Sequence, residues 1–275
     1  MKKNKFKLKK IISKDIEIGL KKIGLKNNKN LFITSNLKSI SKIRLPKKDK
    51  LDILLKSIKK TMGKNYTIFS PSATLNYCNK DFVFDIKNTA SFEMGPFAEF
   101  IRLQKNSIRS MHPFWSICGI GKNAKLLKNV SRHSYAHGSP WSKMLELDAT
   151  QLNLGVHPSK AVTLVHHIET ISGVPYRFNK EFTCKILVNN KIRTESFYLS
   201  VFFKNHNIKK RIKLNEHFFT EMKKRKKLKY YKNKSGLEMW SFKMKDFFNI
   251  ASRYFDKNIF NYLEYKPNLS FQKKL

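Results

Sequence analysis

The chain has 275 residues, 41% of them hydrophobic and 13% aromatic, with 57 lysines and arginines against 19 acidic residues, a formal net charge of +38. This hydrophobic content excludes a disordered chain. No apolar run approaches the roughly 18 residues of a membrane span, and the basic N-terminus lacks a signal peptide's apolar core. The three cysteines, Cys78, Cys118 and Cys184, are too widely spaced for a disulfide framework, so we predict a reducing, cytoplasmic location.

The positive charge is unevenly distributed. From Ser91 to Thr170, nine basic residues stand against five acidic ones, a net charge of +4, which leaves +34 for the rest of the chain. A basic surface favours nucleic acid or an anionic membrane as partner, but runs such as KKIGLKNNKN are also what a biased coding composition produces. Because the charge lies outside the segment that carries the candidate catalytic residues, we expect no nucleic-acid partner; a basic binding protein is the rival hypothesis.

The first part of the chain predicts helices that alternate with short apolar strands. Apolar spacing predicts a helix over Ile16–Leu25 and a strand in NLFITSNL. A second helix is predicted over Asp49–Gly63, with Asp49 as N-cap and Gly63 as its end, followed by a strand in YTIFSPSAT. A third helix opens near Gly95. This alternation predicts an α/β fold with a mixed central sheet flanked by helices and an active site beyond the strand ends.

The second part continues the pattern. We predict a strand in QLNLGV, a helix in PSKAVTLVHHIETIS, a hairpin formed by FTCKILVNN and FYLSVFF and closed near Asn189, and helices in NEHFFTEMKKRKKL and MKDFFNIASRYF. With no internal repeat and no low-complexity linker, we predict a single domain over residues 1–275. Residues 1–14 would be a basic N-terminal extension, and residues 205–275 a basic, divergent C-terminal part.

The stretch TLVHHIET places two histidines next to each other and a glutamate close behind. His166 and Glu169 are three residues apart and would share a helical face, whereas His167 would turn to another face. A histidine followed by a carboxylate one helical turn later can act as a general base. More often, however, a histidine on a helix is simply packed in the core or exposed to solvent. A zinc set with His112 or His133 is the further alternative, but without a His-Glu-x-x-His motif or a cysteine pair we predict no metal.

Six motifs in a fixed order resemble the aminoglycoside 3-N-acetyltransferase family. They are TSNL at Thr34–Leu37, FDIKNTAS at Phe84–Ser91, MGPFAEFIR with IRSMHPFWS at Met94–Ser116, GSPW at Gly138–Trp141, LNLGV at Leu152–Val156, and TLVHHIE at Thr163–Glu169. The resemblance extends from about Asp15 to about Tyr262 and is strongest from Phe84 to Glu169. It implies the family's α/β fold, which differs from that of the commoner acetyltransferase superfamily.

The resemblance also implies acetyl-CoA as donor, a small-molecule amine as acceptor, and His166 with Glu169 as catalytic pair. The matching positions predict contacts to coenzyme A from Ser35, Arg109, Ser110, His112 and Ser116, and contacts to the acceptor from Asp85, Glu99 and His133. The chain departs from the family in two places. Asn36 replaces the second serine of a Ser-Ser-Leu strand end, and altered spacing leaves open whether His133 or His137 takes the family's loop position. A homodimer is also left open.

Amine acetylation requires a neutral nitrogen, so a base must remove a proton before or during attack on the thioester. His166, with an ordinary pKa near 6.5 that a carboxylate tends to raise, would act in a ternary complex, with oxyanion donors near Ser35. Since the chain is so basic, we expect an amino sugar on a nucleotide or a surface polysaccharide precursor rather than a polycationic aminoglycoside. An enzyme of antibiotic resistance is the alternative.

Overall fold

The chain is described by a computed structural model that defines residues 2–40, 45–78, 80–203, 215–264 and 266–267, with the backbone alone at 2–5, 39 and 40. Its α-helices are α1 (Lys2–Lys22), α2 (Lys47–Met62), α3 (Pro96–Arg102), α4 (Pro140–Glu146), α5 (Leu164–Ile171), α6 (Glu216–Lys224) and α7 (Met244–Lys257). Its strands are β1 (Asn30–Ser35), β2 (Thr67–Pro71), β3 (Val83–Asp85), β4 (Ile108–Arg109), β5 (Ile117–Gly121), β6 (Thr150–Leu154), β7 (Arg177–Val188), β8 (Lys191–Phe202), β9 (Lys229–Lys232) and β10 (Glu238–Lys243).

The larger sheet has seven strands in the order β4-β5-β2-β1-β6-β10-β9. Its centre is parallel, because β1 pairs in parallel with both β2 and β6, whereas the outer pairs are antiparallel. The mixed central sheet predicted from the sequence is therefore confirmed. The carboxyl ends of the three parallel strands, at Ser35, Pro71 and Leu154, meet at one edge of the sheet, where α/β proteins place their ligands.

The side chains of strand β1 point alternately to the two faces of the larger sheet and pack into a different core on each face. Leu31 and Ile33 point into a core shared with α1, α2 and α3, while Phe32 points to the opposite face, into a core shared with α4 to α7. There the ring of Phe32 meets that of Trp141 edge-on, with centroids 5.3 Å apart. Helices thus cover both faces of the sheet, and α5 lies on the Phe32 side.

A three-stranded sheet in the order β3-β7-β8 stands beside the first. Its hairpin strands have 12 residues each, longer than predicted, and they turn at Asn189 and Asn190, whose φ values are 50° and 61°. Two consecutive positive φ values are what a tight type I′ hairpin turn requires, and asparagine tolerates them well. An isolated bridge between His133 and Tyr198 ties the hairpin to the loop before α4.

Several predicted boundaries differ from the structure. α2 begins at Lys47 behind Pro46, so Asp49 lies in the first turn and is not the N-cap, whereas Gly63 ends the helix as predicted with φ 81°. The helix predicted in PSKAVTLVHHIETIS is divided into a short 3-10 turn at Pro158–Lys160 and α5. Strands β9 and β10 were not predicted. Of the C-terminal part over 205–275, residues 205–214, 265 and 268–275 lie outside the described residues.

Helix α1 starts well before the predicted residue 16 and includes the segment 2–14 that was expected to be an extension. Its apolar residues Ile12, Ile16 and Leu20 are buried in the core shared with α2. The helix is 21 residues long but rich in lysine. Within the described ranges, no helix is both long enough and apolar enough to cross a membrane.

Candidate active site

Helix α5 brings the two predicted catalytic residues to one place. It follows β6, at the edge of the sheet where the parallel strands end, and its residues Leu164, Val165 and Ile168 are buried in the core. This anchoring fixes the rotation of the helix. His166 and Glu169, one turn apart, therefore project together, with the imidazole 22% exposed and the carboxylate fully buried.

The two side chains form a close hydrogen bond. Nδ1 of His166 lies 2.6 Å from Oε2 of Glu169. Burial acts to raise the pKa of Glu169, but the positive charge of Arg177 and the hydrogen bond from His166 outweigh it, so that the pKa lies below its usual value. The carboxylate is thus ionised and accepts only, which makes Nδ1 the donor. Nε2 is left as the basic ring nitrogen, and none of the described residues forms a hydrogen bond with it.

Arg177 at the start of β7 completes the arrangement. Its Nη2 lies 2.9 Å from Oε2 of Glu169 and 3.0 Å from Nδ1 of His166. Burial and the Arg177 charge lower the pKa of His166, while the hydrogen bond to Glu169 acts in the opposite direction. The carboxylate thus acts to raise the pKa of His166, as expected, but burial and the Arg177 charge outweigh it and the net change is downward. The imidazole is neutral at pH 7, which is the state in which it can accept a proton.

Aromatic rings surround this pair. The ring of His166 has its centroid 5.3 Å from that of Tyr135 and 5.6 Å from that of Tyr262. Burial raises the pKa of Tyr176, and so does its interaction with the Glu169 carboxylate. All three hydroxyls stay neutral, and the low-dielectric surroundings strengthen the interactions among the charged groups.

His167 has a structural position. It turns to another face of α5, as predicted, and its Nδ1 lies 2.5 Å from the carbonyl oxygen of Tyr135. This contact fixes the loop before α4 against α5 and so places the Tyr135 ring beside His166. His137, at the outer side of the same loop, has its ring centroid 6.2 Å from that of His167.

Most of the predicted coenzyme A contacts are used within the protein. The buried guanidinium of Arg109 donates to Oγ of Ser116 at 2.8 Å and to the carbonyl oxygens of Thr89 and Ser72 at 2.5 and 2.6 Å. Oγ of Ser110 accepts from the amide of Ile117 at 2.9 Å. These bonds hold β4, β5 and the segment after β2 together. Binding of coenzyme A by these side chains stays a prediction.

His112 and Ser35 differ in accessibility. The ring of His112 is buried, with Nδ1 accepting from the amides of Phe114 and Trp115 and Nε2 3.3 Å from the carbonyl oxygen of Tyr198. Burial lowers the pKa of His112 to about 4, so it is neutral and donates from Nε2. Ser35 is half-buried at the carboxyl end of β1. Of the predicted coenzyme A contacts, it is the one that lies at the edge of the sheet where the parallel strands end and that is partly exposed.

The three predicted acceptor contacts lie apart from one another along the chain and make local bonds. Asp85 accepts from the amides of Lys87 and Asn88 at 2.8 and 2.9 Å and closes a turn. Glu99 pairs with Arg102 in α3, with Oε1 2.6 Å from Nη2. Nε2 of His133 lies 2.8 Å from Oδ1 of Asn179 on β7. Their contact with an acceptor stays a prediction. Among the described residues, no group of three potential metal ligands converges.

Sequence reasoning missed Arg177, Tyr135 and Tyr262, three of the residues that surround His166. Arg177 ends the stretch VPYR, which follows the helix. The signal that could have found it is an arginine directly after three largely apolar residues, in a chain whose basic residues are mostly lysine. Tyr262 lies beyond α7 and reaches the site only through packing.

Known proteins similar to the chain include two curated enzymes. Aminoglycoside N(3)-acetyltransferase III of Pseudomonas aeruginosa is 32% identical over 92 residues, 33% of this chain and 34% of that protein. Aminoglycoside N(3)-acetyltransferase VII of Streptomyces paromomycinus is 28% identical over 108 residues, 38% of this chain and 37% of that protein. Each alignment thus spans about a third of the length of the curated relative.

Solved structures share the fold over nearly the whole chain. Aminoglycoside acetyltransferase AAC(3)-Xa superposes with a TM-score of 0.74 at 16% identity, covering 89% of this chain and 92% of that one. The YokD protein from Bacillus subtilis gives 0.74 at 19%, covering 90% and 94%. AAC-IIIb, in a binary complex with CoASH, gives 0.75 at 16%, covering 89% and 96%. The profile of the family described as aminoglycoside 3-N-acetyltransferase matches residues 32–256, most of the sequence, and the chain therefore belongs to that family.

Proposed function

We propose that the protein transfers the acetyl group of acetyl-CoA to the amine of an amino sugar, with His166 as general base in a ternary complex. The observation that carries the proposal is the bond from Nδ1 of His166 to the ionised, buried Glu169, which leaves Nε2 free to take a proton. Family membership supports the donor and the reaction type. The three cysteines are free thiols, which suits the reducing cytoplasm that we propose as location.

In the proposed reaction, Nε2 of His166 removes a proton from the ammonium group of the acceptor. The neutral nitrogen attacks the thioester carbonyl, a C–N bond forms, and donors near Ser35 stabilise the oxyanion of the tetrahedral intermediate. The C–S bond then breaks, the coenzyme A thiolate leaves with the second proton given up by the positively charged nitrogen, and the imidazolium returns the first proton to solvent. Glu169 keeps the imidazole in the required tautomer and stabilises the imidazolium that forms.

The charge at the site supports an acceptor that is not a polycation. Glu169 is the acidic residue in contact with His166, and Arg177 already neutralises it at 2.9 Å. A polycationic aminoglycoside would need further carboxylates, whereas Glu99 is engaged with Arg102 and Asp85 with its own turn. The amine would therefore be part of a neutral or anionic molecule, such as a nucleotide-linked amino sugar. The two curated aminoglycoside N(3)-acetyltransferases favour an aminoglycoside as second candidate.

Acetyl transfer to kanamycin-type aminoglycosides and to nucleotide-linked amino sugars tests the acceptor. We expect kcat/KM to be at least about tenfold higher for the nucleotide-linked amine, because each factor of ten needs only about 1.4 kcal/mol of differential binding. Release of free coenzyme A at equal acceptor concentrations measures the ratio. Efficient turnover of the aminoglycoside at low micromolar KM would reject the preference.

A thermal-shift titration with coenzyme A serves as the control for the donor, since ligand at 100 times its Kd stabilises a protein by about 2.7 kcal/mol. Failure to bind coenzyme A, together with retention on nucleic acid that falls steeply with salt, would support the rival basic binding protein instead.

A further inference from the structure

Arg177 is held in place through both terminal nitrogens of its guanidinium. Its side chain is 7% exposed, and its Nη1 donates to the carbonyl oxygen of Ser200 on the neighbouring strand at 3.2 Å. Its guanidinium carbon lies 3.8 Å from the centroid of the Phe202 ring. With one end fixed on β8, the other end can contact Glu169 and His166 in only one way. The guanidinium is therefore a rigid part of the site and not a mobile surface charge.

The geometry around Glu169 is triangular. Oε2 of Glu169, Nδ1 of His166 and Nη2 of Arg177 are separated by 2.6, 2.9 and 3.0 Å. Nη2 only donates and Oε2 only accepts, so both nitrogens direct their protons at the same oxygen. The guanidinium thus places a full positive charge directly beside the imidazole. A second proton on the imidazole would create two adjacent cations for one carboxylate.

We infer that Arg177 is a positioning residue. It holds the Glu169 carboxylate so that Oε2 receives the Nδ1 proton of His166, and its charge opposes protonation of Nε2. Glu169 alone would favour the imidazolium and so occupy the base with a proton before the amine arrives. The catalytic meaning of this inference depends on the proposed role of His166, but its effect on the histidine can be measured in the free protein.

The other groups that face His166 are uncharged. They are Tyr135, from the loop before α4, and Tyr262, from the segment after α7, while Tyr176, directly before β7, faces Glu169. Burial raises the pKa of each of them. His167, adjacent on α5, has its pKa lowered by burial. Among the described contacts, Arg177 and Glu169 are thus the two charges that determine how His166 titrates.

The test is an NMR titration of the full-length protein labelled at its histidines, without substrates. The His166 signal is assigned by its loss in His166→Gln. We expect Arg177→Met to raise the pKa of His166 by about one pH unit, a tenfold gain in proton affinity. Arg177→Gln replaces the charge by a polar amide donor, so it tests the loss of charge should the methionine variant fail to fold, and we expect the same direction of change.

Arg102 offers a matched control, since it is a buried arginine that pairs with Glu99 at 2.6 Å in α3. Arg102→Met removes a comparable ion pair and should leave the His166 titration unchanged. An unchanged or lower His166 pKa in both Arg177 variants, or an equal rise in Arg102→Met, would overturn the inference.

In steady-state assays, the acid limb of kcat/KM should move to higher pH by the same amount in the Arg177 variants, so that their loss of activity relative to pH 8 grows as the pH falls and approaches about tenfold below the wild-type pKa of His166. If the wild-type protein acetylates none of the amines offered, the proposed function fails while the titration still decides the inference. If activity is present but the acid limb and the titration do not move, the inference alone fails.

Discussion

Replacement of His166 by alanine is expected to lower kcat by about 10²–10⁴-fold, the usual contribution of a positioned general base. The ammonium form dominates for an alkylamine near pH 7, and in the proposed site Nε2 is the group that removes its proton. Binding of coenzyme A should persist, because His166 contacts only Glu169, Arg177 and two tyrosine rings among the described residues. Release of coenzyme A under saturating acceptor measures the loss, and a thermal shift with coenzyme A measures the binding.

His157→Ala provides the control for His166→Ala, since His157 is a half-buried histidine that accepts from Ser159 at the turn before α5 and takes no part in the pair. It should keep turnover within about threefold of wild type. Turnover like that of the wild type in His166→Ala would end the proposal. A burst of free coenzyme A in the absence of acceptor would point instead to an acyl-enzyme.

Replacement of Glu169 by glutamine is expected to lower the free energy of unfolding at pH 7 by about 3–5 kcal/mol, the cost of leaving a buried charge without its partner. Arg177 would keep its charge in a nearly water-free site, opposite an amide. The pKa of Glu169 in the folded protein is below its usual value. Its contribution is therefore complete above the unfolded-state pKa of about 4.3 and is lost as the pH falls through the folded-state pKa.

Urea unfolding at pH 7 and at pH 4 measures this difference. The gap between wild type and Glu169→Gln should be widest at pH 7 and narrower at pH 4. Glu146→Gln is the matched control, because its carboxylate is 58% exposed and pairs with Lys143 on the surface; its effect should stay below about 1 kcal/mol. A gap that is absent at pH 7, or that widens as the pH falls, would contradict the assignment of an ionised, stabilising carboxylate.

The features that the sequence predicted well are those set by near neighbours in the chain. Strands β1 and β2 are continuous apolar runs bounded by turns, and α2 has one apolar face ended by Gly63. His166 and Glu169 are one helical turn apart, so their contact needs nothing beyond α5 itself. Local periodicity determines such features directly.

The missed features depend on distant partners. β10 pairs with β6, with Ser241 opposite Leu152, which lies 89 residues earlier. β9 is a lysine-rich edge strand without an apolar pattern. The effect of Glu169 on the pKa of His166 was predicted in the right direction, but the larger opposing effects of burial and of Arg177, across the end of the helix, were not visible in the motif. Arg109 matches the family motif, but it bonds to Ser72 and Thr89, which are distant in the sequence. No local pattern specifies such contacts.

The position of β10 has a consequence for the order in which the protein is made. β6 lies between β1 and β10, so one of its edges has no partner until residues 238–243 have been synthesised. α7, which packs in the same core as α5, and Tyr262, which flanks His166, come later still. A nascent chain that has emerged as far as α5 would therefore contain His166 and Glu169 before α7 and Tyr262 have been synthesised. The surroundings of the proposed catalytic pair are completed only once Tyr262 has been synthesised, and a ribosome that stalls after the hairpin would display an open, aggregation-prone strand edge.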